Sequence, residues 1–144
     1  MQLKKRTARN CSTAKGGALI ESVVILGVIT MLAMGSVQYG FAFYFKHAIQ
    51  QAASAGCRAA TMPGAMDSQV RTAVTNQLTA AGFANANPTV TTSPASINLV
   101  TQGTYVTVTV SSSWTTVGIN PLPAYLGGFA SNRVFSASAT MLHE

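Results

Sequence analysis

Between Ser22 and Phe45 the chain carries no Lys, Arg, Asp or Glu, and Gln38 is the one amide there. In a helix rising ~1.5 Å per residue this stretch reaches ~36 Å. A bilayer hydrocarbon core is ~30 Å thick, so the segment from Ala18 to Phe45 is long enough to span one with some tilt. The apolar region of an ordinary signal peptide, ~7–15 residues, is shorter. The sequence therefore predicts a membrane anchor. One carboxylate, Glu21, stands at its N-terminal edge.

The formal charge of +6 suggests a nucleic-acid partner until the charges are placed. Lys4, Lys5, Arg6, Arg9 and Lys15 all precede Glu21. Beyond them, Lys46, Arg58, Arg71 and Arg133 stand against Glu21, Asp67 and Glu144, leaving +1. No basic stripe remains to track phosphates, so nucleic acid is not an expected partner. The leader charge reads as topology instead. Positive residues beside the first apolar segment stay in the cytoplasm, so the C-terminal part is expected on the periplasmic or extracellular side of the inner membrane. That part is sparsely charged and rich in Thr, Ser, Ala and Asn. Its one cysteine, Cys57, excludes an internal disulfide framework. Cys11 lacks the apolar run that a lipoprotein signal would place before it.

Residues 1–16 show no apolar period and read as an unstructured or membrane-surface arm. Gly16-Gly17-Ala18-Leu19-Ile20-Glu21 follows. Two glycines here are expected to keep the backbone open ahead of the helix, within reach of a protease at the cytoplasmic face. Cutting between them would make Gly17 the first residue and Glu21 the fifth. This spacing, after a basic leader and before an apolar helix, resembles the type IV prepilin signal. The resemblance implies a membrane aspartyl peptidase that cuts after Gly16, and a Glu21 that neutralises a neighbour's new amine. A carboxylate inside a bilayer costs at most ~2.5–3.5 kcal/mol on insertion scales, and a partner cation offsets it. A helix N-terminus also tolerates negative charge best. The plainer reading is an interfacial acid that marks the helix start.

The anchor carries Gly27, Gly35 and Gly40 with Ala33, Ser36 and Ala42, small residues that let helices approach in lipid. Tyr39, Phe41, Phe43, Tyr44 and Phe45 cluster at its far end before Lys46 and His47, as an aromatic belt at the outer interface would. The helix is predicted to continue to Met62, with Ile49, Ala52, Ala53, Gly56, Cys57 and Ala60 on one small-residue face. Pro63-Gly64 ends it. Gly17, Ala18 and Glu21, then Ala52, Gly56, Arg58, Ala59 and Ala60, complete a second resemblance. The chain is similar to TadE-like proteins of the tight-adherence pilus, which pair a G-x-A-x-x-E-type start with an A-x-x-x-G-x-R-A-A helix. The likeness covers about residues 16–62. Gly27 stands where family members often carry Pro, and Cys57 where another small residue is usual. Arg58 reads either as a partner for another subunit's carboxylate or as a solvated cation. Cys57 reads either as a link between copies or as a buried small residue.

Asp67 is placed to cap a second helix with Val70, Ala73, Val74, Gln77, Leu78 and Ala81 on one face, ended by Gly82. That helix is expected to lie on a sheet. Thr89–Thr92 and Ile97–Thr101 are short strand candidates, and Gln102-Gly103 offers a turn from the latter into Thr104–Ser112. There Val106, Val108 and Val110 alternate with Tyr105, Thr107 and Thr109. Asn120–Gly128 is a loop suited to covering a sheet edge or touching a partner. Arg133–Leu142 alternates again, with Phe135, Ala137, Ala139 and Met141 on one face, and is expected to pair with the Val106–Val110 strand. The predicted class is α+β. A basic leader (1–16) precedes a transmembrane helix and its extension (17–62), then an exported domain (63–144) with one helix on an antiparallel sheet of three to four strands.

Catalysis needs convergent polar groups. After the anchor the chain offers two carboxylates, with His47 at the membrane and His143 near the end. No acid pair, metal-ligand spacing or phosphate-binding glycine turn is present, so neither an enzyme nor a cofactor is expected. The resemblance implies a structural pseudopilin, a minor pilin of a tight-adherence machine serving pilus biogenesis and adhesion. Its implied partners are a prepilin peptidase, other pilin-like subunits, pilus assembly proteins and membrane lipid. Two alternatives stay open. One is an unprocessed bitopic protein with an exported ligand- or partner-binding domain; the other is a type II secretion pseudopilin.

Overall fold

The computed structural model describes residues 12–97, 100–117 and 133–143. Helix α1 (Ser12–Ala60) is followed by α2 (Asp67–Ala80), then strands β1 (Thr89–Ser93), β2 (Tyr105–Ser113) and β3 (Val134–Leu142). The strands form one antiparallel sheet in the order β1-β2-β3. The class is α+β, as the sequence predicts. Leader residues 1–11 with Cys11, the loop Asn120–Gly128 and Glu144 lie outside the described residues.

Helix α1 leads two lives. From Gly17 to Val37 every residue is exposed except half-buried Gly35. This bare length is ~31 Å, close to the ~30 Å of a hydrocarbon core. Its most apolar window has a mean hydropathy of 2.2, and none of it is buried. Among the described residues α1 is the one helix long and apolar enough to cross a membrane. Its hydroxyls are satisfied within the helix. Ser22 Oγ donates to the Ala18 carbonyl at 2.8 Å, Thr30 Oγ1 to Leu26 at 2.8 Å and Ser36 Oγ to Leu32 at 2.9 Å. None of these groups needs water, as lipid requires.

From Gln38 onward α1 turns one face into a core. Ala42, Phe45, Ala48, Ile49, Ala52, Ala53, Cys57 and Ala60 are buried at helical spacing. Helix α2 buries Val70, Val74 and Leu78 against it, and β2 buries Val106, Val108 and Val110. Each such aliphatic side chain taken fully from water contributes ~1.5–3 kcal/mol. Helix α2 returns alongside α1, so that Tyr44 Oη donates to the Ala81 carbonyl at 3.0 Å. The sequence places α2 on a sheet; its buried face instead meets α1 first, with Val70 and Val74 beside Gly56 and Val108 at the same junction. Small residues on α1 permit this. A Cβ at Gly56 would stand 2.7 Å from Val74 Cγ2 and 3.3 Å from Val108 Cγ1.

Strand β2 is central. Val106, Val108 and Val110 point inward and Thr107 and Thr109 outward. On β3, Phe135, Ala137, Ala139 and Met141 are the half-buried set, in register with β2 through Val108↔Ala139 and Val110↔Ala137. On the outer face Thr107 and Thr140, directly opposite, share a hydroxyl hydrogen bond of 2.8 Å.

Three local expectations give way. The partner of β2 is Thr89–Ser93, not Ile97–Thr101. Among the described residues of the latter, the Val100 N–H donates to the Ile97 carbonyl at 3.1 Å and none pairs with β2. Gly103, at φ +84°, turns the chain into β2, but its N–H bonds the His143 carbonyl and so extends the β2–β3 ladder. The N-cap of α2 is Met66, not Asp67; Gln69 Oε1 accepts from the Met66 N–H at 3.2 Å, leaving Asp67 in the first turn where the helix dipole favours it. Finally, α1 is already helical at Ser12, the first described residue, and runs unbroken through Gly16-Gly17. Extending an existing helix needs no new nucleus, so even a glycine pair is carried along.

Candidate functional site

The residues that the sequence singles out lie on one turn of α1. Gly17 and Glu21 are both exposed and four residues apart, and Gly16 precedes them in helical backbone. Side chains four apart share a helix face, so a charge on Gly17 nitrogen would stand one turn from the Glu21 carboxylate. Neither position is fixed by packing. A Cβ at Gly17 would meet nothing within 4 Å. Glycine in a helix interior is ~1 kcal/mol worse than alanine. Nothing within the described fold offsets that cost at Gly17. The same holds at Gly27 on the bare helix and at Gly40 just beyond it, both open to 4 Å. Gly56 is the contrast, because its missing side chain admits Val74.

The aromatic cluster at the end of the bare helix divides in two. Tyr39, Phe43 and Tyr44 are exposed, as an interfacial belt requires. Phe45 is fully buried and Phe41 half-buried. These two join Phe83, Trp114 and Phe135. Phe45 lies 4.9 Å from Phe83, 6.1 Å from Trp114 and 5.7 Å from Phe135 between ring centroids. Phe41 adds edge contacts to Phe83 at 5.7 Å and Trp114 at 5.8 Å. Such pairs add ~0.5–1.5 kcal/mol each beyond area burial. The bare helix and the sheet are thereby pinned together where α1 enters the core. Sequence reading alone missed Phe83, Trp114 and Gln38 as members of this junction. The helical step from Phe45 back to Phe41 and Gln38 was the available signal. Gln38 is 2% exposed, and its Nε2 has no hydrogen-bond partner among the described residues.

Cys57 is buried within the domain. Its Sγ lies 3.4 Å from the Val106 carbonyl oxygen and 3.5 Å from that of Ala139. The geometry favours the small buried residue over the link between copies. Cys57 in a chain carrying Cys11→Ser is expected to resist an aqueous thiol reagent until the domain unfolds. Full labelling of the native protein would contradict this placement. Arg58 is exposed, with no carboxylate within ion-pair distance among the described residues. It lines an open groove with His47, Gln50, Gln51, Ser54, Ala55 and Gln77. Among the described residues no three of His, Cys, Asp and Glu gather where a metal ion could be held.

One extended helix thus carries the glycine pair, the acid one turn on, a bare bilayer-length segment and a small-residue half seated in a sheet domain. Residues 16–58 match the family model of TadE-like proteins. That segment is TadE-like. The TadE-like match takes in the glycine pair, Glu21, the bare helix and Gly56 through Arg58; α2 and the sheet lie outside it. The bare helix within the match is compatible with single-pass anchoring. The chain matched no curated protein and no solved structure.

Proposed function

We propose that the chain is a structural pseudopilin, a minor pilin of a tight-adherence pilus and secretion machine, without enzymatic activity. A prepilin peptidase hydrolyses the Gly16–Gly17 bond at the cytoplasmic face. The freed Gly17 amine and the Glu21 carboxylate then offer opposite charges one helical turn apart. Within lipid each charge costs less when it meets its opposite on a neighbour than when it stands alone. Pairing between copies, or with other pilin-like subunits, aligns their N-termini. The bare helix packs among its neighbours, and the sheet domain stands on the periplasmic or outer side to support pilus assembly and adhesion. The observation that carries this reading is Gly17: an exposed helical glycine that no packing contact requires, one turn before an exposed acid, inside the TadE-like match.

The helical state of Gly16-Gly17 bears on the cut. A protease acts on opened backbone, and two glycines, each ~1 kcal/mol less favourable than alanine, make this turn the easiest to open. The same helical run from Ser12 favours a second reading, in which the leader stays on a bitopic protein.

Glu21→Gln separates the two. The substituted chain is expected to insert and be cut, but its co-purification with other pilin-like subunits should fall about tenfold or more, as loss of a charge-assisted hydrogen bond implies. Glu21→Asp should retain part of that association. Undiminished association of Glu21→Gln would remove the pairing role and favour the bitopic reading.

A further inference from the structure

Where the bare half of α1 ends, a cleft of about 220 Å³ opens between that helix and the start of β3. Tyr39, Ala42, Phe43, Lys46 and Phe135 line it. Its walls are aromatic and methyl carbon, and Lys46, which is exposed, is the one charged lining residue. Phe43, 70% exposed, carries the lipid-facing surface of α1 into the cleft.

Its height relative to a bilayer follows from the helix. Glu21 and Lys46 are separated by ~37 Å along the axis. That exceeds the ~30 Å hydrocarbon core and falls short of the ~40–45 Å of a whole bilayer. With Glu21 at one margin, Lys46 lies among the headgroups of the other leaflet. The charges on this end of the domain have one sign. Arg133, exposed, precedes β3 here, its carbonyl accepting from the Trp114 N–H at 2.8 Å. Asp67 begins α2, whose opposite end is tied to Tyr44 through Ala81, so it stands ~20 Å farther out. Among the described residues, the membrane-proximal end of the domain therefore presents bases and no carboxylate.

We infer that this cleft holds one anionic phospholipid of the surrounding bilayer. An acyl chain lies along Ala42, Phe43 and Phe135, and the Lys46 ammonium donates to the phosphate oxygens. A zwitterionic lipid brings its own cation to the same place and loses that attraction. The inference rests on the membrane-anchor reading of α1, and its test distinguishes the two.

Trp114 is the chain's single tryptophan, and its ring centre lies 5.5 Å from that of Phe135. It reports on bromine carried into the cleft. The full chain is reconstituted in mixed phosphatidylcholine–phosphatidylglycerol vesicles of fixed composition, with brominated acyl chains on one lipid or the other. Per mole of brominated lipid, phosphatidylglycerol is expected to quench about fivefold more effectively, the preference that one lysine near an anionic lipid supplies. Lys46→Glu should remove or reverse the preference for phosphatidylglycerol, and Lys46→Arg should keep it. Equal quenching in the unsubstituted chain would mean ordinary surrounding lipid only and would overturn the inference, as would a preference that survives Lys46→Glu. Vesicle flotation is scored separately. A chain that fails to float overturns the anchor reading as well; one that floats without lipid preference overturns the cleft alone.

Discussion

Replacing Gly16 with Val is expected to leave the leader on every copy, so that the shorter, mature species disappears from the membrane fraction. The cause is local. On the proposed processing, a β-branched side chain would fill the space that the peptidase needs at the residue before the cut, and it would stiffen the one turn that two glycines make easy to open. The rest of the protein has no reason to change. The first residue of the core, Gln38, stands ~33 Å away along the helix. Insertion and the melting of the sheet domain should therefore match the unsubstituted chain. Intact-mass measurement of the membrane fraction reads the cut, and Trp114 emission reads the fold. A mature species as abundant as in the unsubstituted protein would show that Gly16 has no part in processing.

The second large effect lies at the other end of α1. Gly56→Leu should abolish cooperative unfolding of the domain. Even a Cβ would sit 2.7 Å from Val74 Cγ2, with Val108 Cγ1 at 3.3 Å and Val70 Cγ1 at 3.5 Å behind it. Val74 is β-branched within a helix and has essentially one rotamer, so it cannot swing aside. Gly56→Ala sets a gain of ~1 kcal/mol in helix propensity against an overpacking cost of ~1–3 kcal/mol, and a net loss of up to ~2 kcal/mol is expected. Leucine adds three more carbons to the same gap. Gly40→Ala is the matched control. Its Cβ would meet nothing within 4 Å, so it should gain up to ~1 kcal/mol while weakening contacts with neighbouring helices. Denaturant melts followed by Trp114 emission distinguish the three variants. A Gly56→Leu chain that melts as the parent does would refute the packing described at this junction.

The sequence made the helical face from Ile49 to Ala60 legible, because small and apolar residues recur there at helical period and every member is buried. The alternation on β2 and β3 was equally plain, since β-branched residues on a pleated strand leave one consistent inner face. Two kinds of feature stayed hidden. The aromatic run Tyr39–Phe45 has a composition that suits a membrane belt and a core alike; only the position of the sheet decides that Phe41 and Phe45 turn inward while Tyr39 and Phe43 stay out. The choice of Thr89–Ser93 over Ile97–Thr101 as the partner of β2 is a long-range pairing, and local β propensity does not distinguish two short candidate strands. At the glycine pair, sequence alone weighs the flexibility of Gly16-Gly17 and misses the helix that extends through them from Ser12. Glu21 was legible as an isolated acid before an uncharged run, whereas the absence of any packing need at Gly17 among the described residues emerges only from three-dimensional neighbours.

The identity of the first residue of the membrane-embedded protein tests the central claim most directly. The full-length gene product is expressed with its native secretion machinery, extracted from membranes and sequenced from its amino end. A chain beginning at Gly17, four residues before Glu21, is the expected result. A membrane-embedded chain that still begins at Met1 would contradict it.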